Sequence, residues 1–197
     1  MNKGVTKDGH IESGRKVKKS GIELSEYIVL GMGGRKWWKE HVDDTSDVLN
    51  AINPDFIRFR TLKVTKDMPI FEKVECGDFV ISSEEEIIKE ERSLIERLNG
   101  ITSYIKSDHI LNLLEEIEGK LPEDKEKMLR IIDDFTSLGD EQRLTFRFGR
   151  RAGIYRRLND LNDELTYFKI RKQIREMEQK EPGSVEKTLS LLLENYI

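Results

Sequence analysis

The spacing of apolar and polar positions changes several times along the chain, and each change marks an element. Residues 22–30 end in a continuous apolar run, Tyr27-Ile28-Val29-Leu30, closed by Gly31, Gly33 and Gly34. Such a run predicts a strand buried in a parallel sheet, and the glycines predict a strand-to-helix turn. From residue 35 to 52 the period becomes helical, with Trp38, Val42, Thr45, Leu49 and Ile52 along one face. Asn53-Pro54-Asp55 breaks that helix, and residues 56–62 then alternate. Ile57, Phe59 and Thr61 share one face, while Phe56, Arg58, Arg60 and Leu62 share the other. Ahead of the first strand, residues 5–20 predict a short helix with Thr6 as N-cap and Gly21 just past its end.

Further along, residues 63–81 read as an irregular connection containing Pro69 and Gly77. Ser83 with Glu86 makes a capping box opening a helix that carries Ile87, Ile88, Glu91, Leu94, Ile95 and Leu98, with its charge run read as a solvated face. Residues 101–106 predict a third short strand that delivers Ser107, Asp108 and His109 to its C-terminal end. After Gly119 the pattern is helical throughout. Pro122 stands at the first position of a helix reaching Leu138, and Asp140 caps a second pattern running to about Leu161. Glu181-Pro182-Gly183 splits two further helical stretches. The chain thus reads as α/β over residues 1–118, with about three parallel strands, followed by a helical extension over 119–197.

Composition narrows the function classes. The 197 residues are 37% hydrophobic and 37% charged, enough apolar material for a real core. A net charge of -4 argues against a general nucleic-acid or membrane-surface role and leaves local basic patches open. No transmembrane run and no signal peptide are evident, so the expected location is cytoplasmic. The single cysteine, Cys76, excludes an internal disulfide framework and any multi-cysteine cluster motif in this chain. His10, His41 and His109 lack HxxxH spacing, and no metal site is expected.

Four places carry candidate chemistry, while no catalytic residue is identified. The Gly31–Gly34 turn lets backbone approach a ligand, with the next helix pointing its N-terminal N–H groups to the same place. Arg58 and Arg60 project together from a strand otherwise flanked by helices, toward a cavity or buried acids, or toward solvent if the strand is an edge. Asp108 and His109 lie at a strand's C-terminal end, where acid/base chemistry sits in parallel folds, although neighbours on an extended chain point to opposite sides. In the helical part, Arg143, Arg147, Arg150, Arg151, Arg156 and Arg157 with Phe146, Phe148 and Tyr155 could hold RNA phosphates; the interspersed acids favour a mixed-charge surface helix.

Residues 4–109 resemble the second half of the radical S-adenosylmethionine catalytic domain, a partial (β/α) barrel. The stretch from Gly21 to Gly34 looks like that family's fifth strand and turn. Asn53 to Leu62, followed by Met68-Pro69-Ile70, looks like the sixth strand and its loop, and Asn2-Lys3-Gly4-Val5-Thr6 resembles the entry to the preceding helix. The likeness extends more loosely through Ser107-Asp108-His109 and Lys120-Leu121-Pro122. The resemblance implies a partial barrel fragment whose Val29 and Gly31, with Gly33 and Gly34, lie at the cofactor, and whose Arg58, Arg60, Asp108 and His109 face a substrate or anion. Tyr27 stands where the family often has glycine, and Gly34 where it often has an acid. The family's four-iron cluster needs a CxxxCxxC loop that this chain lacks, together with the first four strands. It therefore looks like the C-terminal part of a longer enzyme: S-adenosylmethionine and the 4Fe-4S cluster belong to the parent, and neither is held stably by this chain alone. The implied partner is the missing barrel half or another chain, with self-association through the open edge of the first strand as the other outcome. The competing reading is a non-catalytic α/β and helical module for a partner protein or an anionic ligand.

Overall fold

A computed structural model describes residues 4–194. Helix α1 (Lys7–Lys19) starts at Thr6, whose hydroxyl accepts the Gly9 N–H, as the N-cap pattern predicts. Strand β1 (Ser25–Leu30) leads through the glycine turn into α2 (Gly34–Ile52), which ends on Asn53 in the left-handed region (φ 53°). Strand β2 (Phe56–Thr61) follows. The irregular stretch after it contains one short helix, α3 (Phe71–Glu75), before the Ser83/Glu86 capping box opens α4 (Glu84–Arg97). Strand β3 (Tyr104–Lys106) runs parallel to β2, which is parallel to β1. Asn2 and Lys3, part of the resemblance at the amino end, lie outside the described residues.

Three expectations need correction here. A fourth strand, β4 (Glu118–Lys120), pairs antiparallel to β3, so the sheet is mixed and open, in the order β1-β2-β3-β4. Its sequence, Glu118-Gly119-Lys120, has no apolar alternation to announce it, because its pairing is set by β3 and not by burial of its own side chains. Pro122 does not open a helix: residues 121–124 form a turn, and α5 (Lys125–Ser137) begins three residues later. Helix α6 (Asp140–Arg151) ends well before residue 161, at Ala152-Gly153, with Gly153 at φ 72°. A 3-10 turn (Leu158–Asn162) then leads to α7 (Glu164–Lys180) and α8 (Ser184–Glu194).

One hydrophobic cluster joins the two halves of the chain, since Leu30, Ile57, Phe59 and Leu94 belong to the same buried set as Met128, Ile132, Phe146, Ile170 and Leu189. Strand β4 itself crosses residue 118. Burial at this scale is the main favourable term in folding, so the helical part packs as a continuation of the α/β core. Among the described residues no helix is long and apolar enough to cross a membrane.

The sheet's two faces differ. Leu30, Ile57, Phe59 and Ile105 point into the core and are 0–1% exposed. In-register neighbours on the opposite face are Ser25–Phe56–Tyr104, then Tyr27–Arg58–Lys106, then Val29–Arg60. Tyr27 is 58% exposed there, so the run 27–30 is buried on one face and not on both. The outer edge of β1 has no strand partner among the described residues.

Candidate functional site on the open face

The alternation of β2 decides where its arginines go. With Ile57 and Phe59 committed to the core, Arg58 and Arg60 emerge on the open face, their side chains about a quarter exposed. Asp108, just beyond the end of β3, reaches both: Arg58 Nη1 donates to Oδ2 at 2.7 Å and Arg60 Nη1 to Oδ1 at 3.0 Å. Burial opposes ionisation of Asp108, yet the hydrogen bond from Arg60 and the charges of both guanidiniums hold its carboxyl below the usual range. Arg60 Nη1 also donates to Phe59 O at 2.8 Å. Among the described residues, Nε and Nη2 of both arginines have no hydrogen-bond partner.

Aromatic rings fill the spaces between these cations. The Arg60 guanidinium lies 4.9 Å from the Tyr27 centroid, Arg58 lies 5.6 Å from Phe56, and Lys106 Nζ lies 5.5 Å from Tyr104. Phe56 and Tyr104 stand 6.2 Å apart, tilted. His109 is brought to the same strand end. Burial and the charge of Arg60 lower its pKa against the pull of Asp108, and its Nδ1, shielded from solvent, has no hydrogen-bond partner among the described residues. Ser107 points the other way, into the core, as neighbours on an extended chain must.

The glycine turn is tightly engaged. Gly31 and Gly34 adopt φ of +85° and +54°, and a Cβ on Gly34 would come within 2.7 Å of Val80 O. Three of its N–H groups are used internally: Gly31 N–H donates to Glu90 at 3.1 Å, Gly34 N–H to Gly31 O at 3.0 Å, and Arg35 N–H to Val80 O at 3.0 Å. Gly33 supplies a carbonyl to Trp37 N–H. Those three donors are thus unavailable to a ligand at the turn. Val29 remains half-buried on the open face, beside Arg60 in register.

Beneath the strand ends lies a polar layer that the residue pattern does not reveal. Glu90 and Glu91, both on α4, are buried, not part of a solvated face. Glu90 holds Gly31 N–H and lies 2.7 Å from His41 Nδ1. Glu91 meets Ser107 Oγ at 3.4 Å; Asn112 bonds Ser107 Oγ, Phe59 O and Thr61 Oγ1. Burial pushes the Glu91 carboxyl up to about 8, with Ser107 pulling the other way and the charge of Glu90 adding to the rise. The one sequence signal was position: Glu91 shares a helical face with Ile87, Ile88 and Leu94, where an acid must be neutralised or hydrogen-bonded.

The arginine-bearing helix is not a free cationic surface. Arg147 and Arg151 pair with Glu84, Arg150 with Glu115, and Arg143 with Glu85. Phe146, Phe148 and Tyr155 are core residues. A cleft of about 1130 Å³ opens between the β3–β4 edge and residues 154–166, lined in part by Tyr104, Asp108, Glu118, Ile131, Tyr155 and Asp163. The described residues contain no group of three His, Cys, Asp or Glu placed to hold a metal ion. The chain matches no protein-family model, and comparisons with curated proteins and with solved structures give no match.

Proposed function

We propose that this chain is the C-terminal wall of a radical S-adenosylmethionine-type barrel, working in the cytoplasm, with the open face of β1–β3 turned toward the ligand. The observation that carries the reading is the Arg58–Asp108–Arg60 clasp on the uncovered face, at the carboxyl ends of parallel strands, where ligands bind in such folds. Val29 would give an adenine a half-buried apolar contact beside Arg60, with the adjoining backbone of Gly31 as the second contact the resemblance implies. When bound, S-adenosylmethionine would supply the 5′-deoxyadenosyl group of the family's chemistry. Arg58 and Arg60 would hold a carboxylate or phosphate through their remaining N–H groups, about one strand spacing (roughly 4.8 Å) from Val29. The 4Fe-4S cluster does not fit this chain, because one exposed cysteine cannot supply three thiolates. Its ligands, and the strand that would pair with the outer edge of β1, would come from a complementary segment or from a second chain.

One observation favours the alternative of a non-catalytic ligand-binding module: antiparallel β4 ends the parallel series beside β3, where a barrel would continue in parallel. Titrating S-adenosylhomocysteine into the isotope-labelled chain tests the first reading by NMR. Saturable shifts at Val29 and Gly31, reduced in Arg60→Ala, are expected at millimolar ligand. Shifts confined to other surfaces, or none at all, would overturn it.

A further inference from the structure

The open face carries more than an anion seat, and its pattern names a ligand class. The three in-register rows carry rings beside cations: the paired rings Phe56 and Tyr104 in one, then Arg58 between Tyr27 and Lys106, then Arg60 beside Val29. Each ring has a cation within 4.9–5.6 Å of its centroid. Counting Lys120, the face holds four cations, Arg58, Arg60, Lys106 and Lys120, against the acids Asp108 and Glu118, in a chain whose net charge is -4. A ring-bearing sheet face with local positive excess suits ligands that present flat π-systems and negative charge in alternation.

We propose that this face binds single-stranded nucleic acid, with bases stacked on Tyr27 and on the Phe56–Tyr104 pair and phosphates on the free guanidinium edges of Arg58 and Arg60. This rests on reading the open face as a ligand wall and goes beyond it by naming the ligand. Two ring positions on either side of the arginine pair call for successive nucleotides, which a free mononucleotide does not provide. Asp108 contributes by fixing both guanidiniums through Nη1 alone, leaving Nε and Nη2 directed to the ligand. The adjacent cleft, where Glu115, Glu116, Glu118, Asp124, Asp160 and Asp163 outnumber Lys127, Arg156 and Arg157, disfavours phosphate beyond Tyr104. The helix-borne arginines take no part, being committed to Glu84, Glu85 and Glu115.

Fluorescence anisotropy of the full chain with a short labelled oligouridylate, across a salt series, tests the proposal. Contacts to two phosphates give a slope of log K against log salt of about -1.4, and Arg60→Ala brings it down by about 0.7. Tyr27→Ala, at an exposed position, weakens binding about tenfold by removing one stacking platform. Circular dichroism verifies that both variants are folded. No binding, undiminished binding by both folded variants, or equal competition from duplex RNA or from uridine monophosphate would overturn the proposal. Shifts at Val29 and Gly31 on titration with S-adenosylhomocysteine would survive such a failure, so the two readings fail separately.

Discussion

Two clusters in this protein have the same composition, one carboxylate between two arginines, and opposite character. Glu84 lies between Arg147 and Arg151 with side chains 13%, 16% and 2% exposed, whereas Asp108 lies between Arg58 and Arg60 with side chains 47%, 26% and 24% exposed. In the first, further bonds run from Arg147 to Glu186 and from Arg151 to the carbonyls of Ile110 and Leu111, tying α4, α6, α8 and the loop after β3 together. Burial opposes the charge on Glu84, but Arg151 and Arg147 still hold its pKa below the ordinary value. In the second, each guanidinium gives Asp108 only its Nη1. The same chemistry therefore makes a structural bolt where partners and burial consume the donors, and an exposed clasp with uncommitted donors where they do not.

The largest test of this contrast is Glu84→Ala. It leaves two largely buried guanidiniums facing each other with their central acid gone, which for a broken buried pair costs about 3–5 kcal/mol. Urea denaturation followed by circular dichroism should show that loss. A change below about 1 kcal/mol would mean that the arginines find water or other acids, and that the cluster is no bolt.

How much of this was legible in the sequence follows from which forces are local. The helix starts at Thr6 and Ser83 were readable, because a cap is a contact between residues three apart. So was the direction of Arg58 and Arg60, because a strand's period of two sends them away from Ile57 and Phe59. The pairing of Glu84 with Arg151, 67 residues away, was not, because a surface acid and a buried one look alike until the fold sets their surroundings. The arginines of α6 looked like a solvated or phosphate-binding face for the same reason. Strand β4 went unread because three residues with one glycine carry no period. The Asp108 clasp was half legible: its placement at a strand end could be read, its partners could not.

A second test concerns the covered side of the sheet, where Glu91 differs from both clusters: among the described residues its close partners are Ser107 and Glu90, not a cation. Its folded carboxyl titrates near 8 against an ordinary value of 4.5, so the folded state holds a proton that the unfolded chain releases. The sign follows directly: this contribution is fully present below about 4.5 and is lost as pH rises toward 8, with a slope of at most about 1.4 kcal/mol per pH unit. Glu91→Gln keeps the shape and a hydrogen-bonding amide while removing the titration. Denaturation midpoints taken across that window should fall with pH in the parent and stay flatter in the variant. Parallel curves would show that Glu91 is ionised in the fold and that water or an unassigned partner reaches it.

The smallest expected effect is the one that completes the contrast. Asp108→Ala removes the acid of the open clasp, but the pair is half-exposed, so solvent screens it and water replaces the lost bonds. A stability change below about 1 kcal/mol is expected. Its pH dependence has the opposite sign to that of Glu91. The folded carboxyl is depressed below its ordinary 3.8, so the contribution is present above that value and is lost as pH falls through the folded pKa. The difference between parent and variant should therefore be small and constant from neutral pH down to about 4, then vanish in stronger acid. Urea curves at several pH values measure both features. A loss approaching that of Glu84→Ala would place Asp108 among the bolts of the fold and would take from the open face the free donors on which its ligand reading depends.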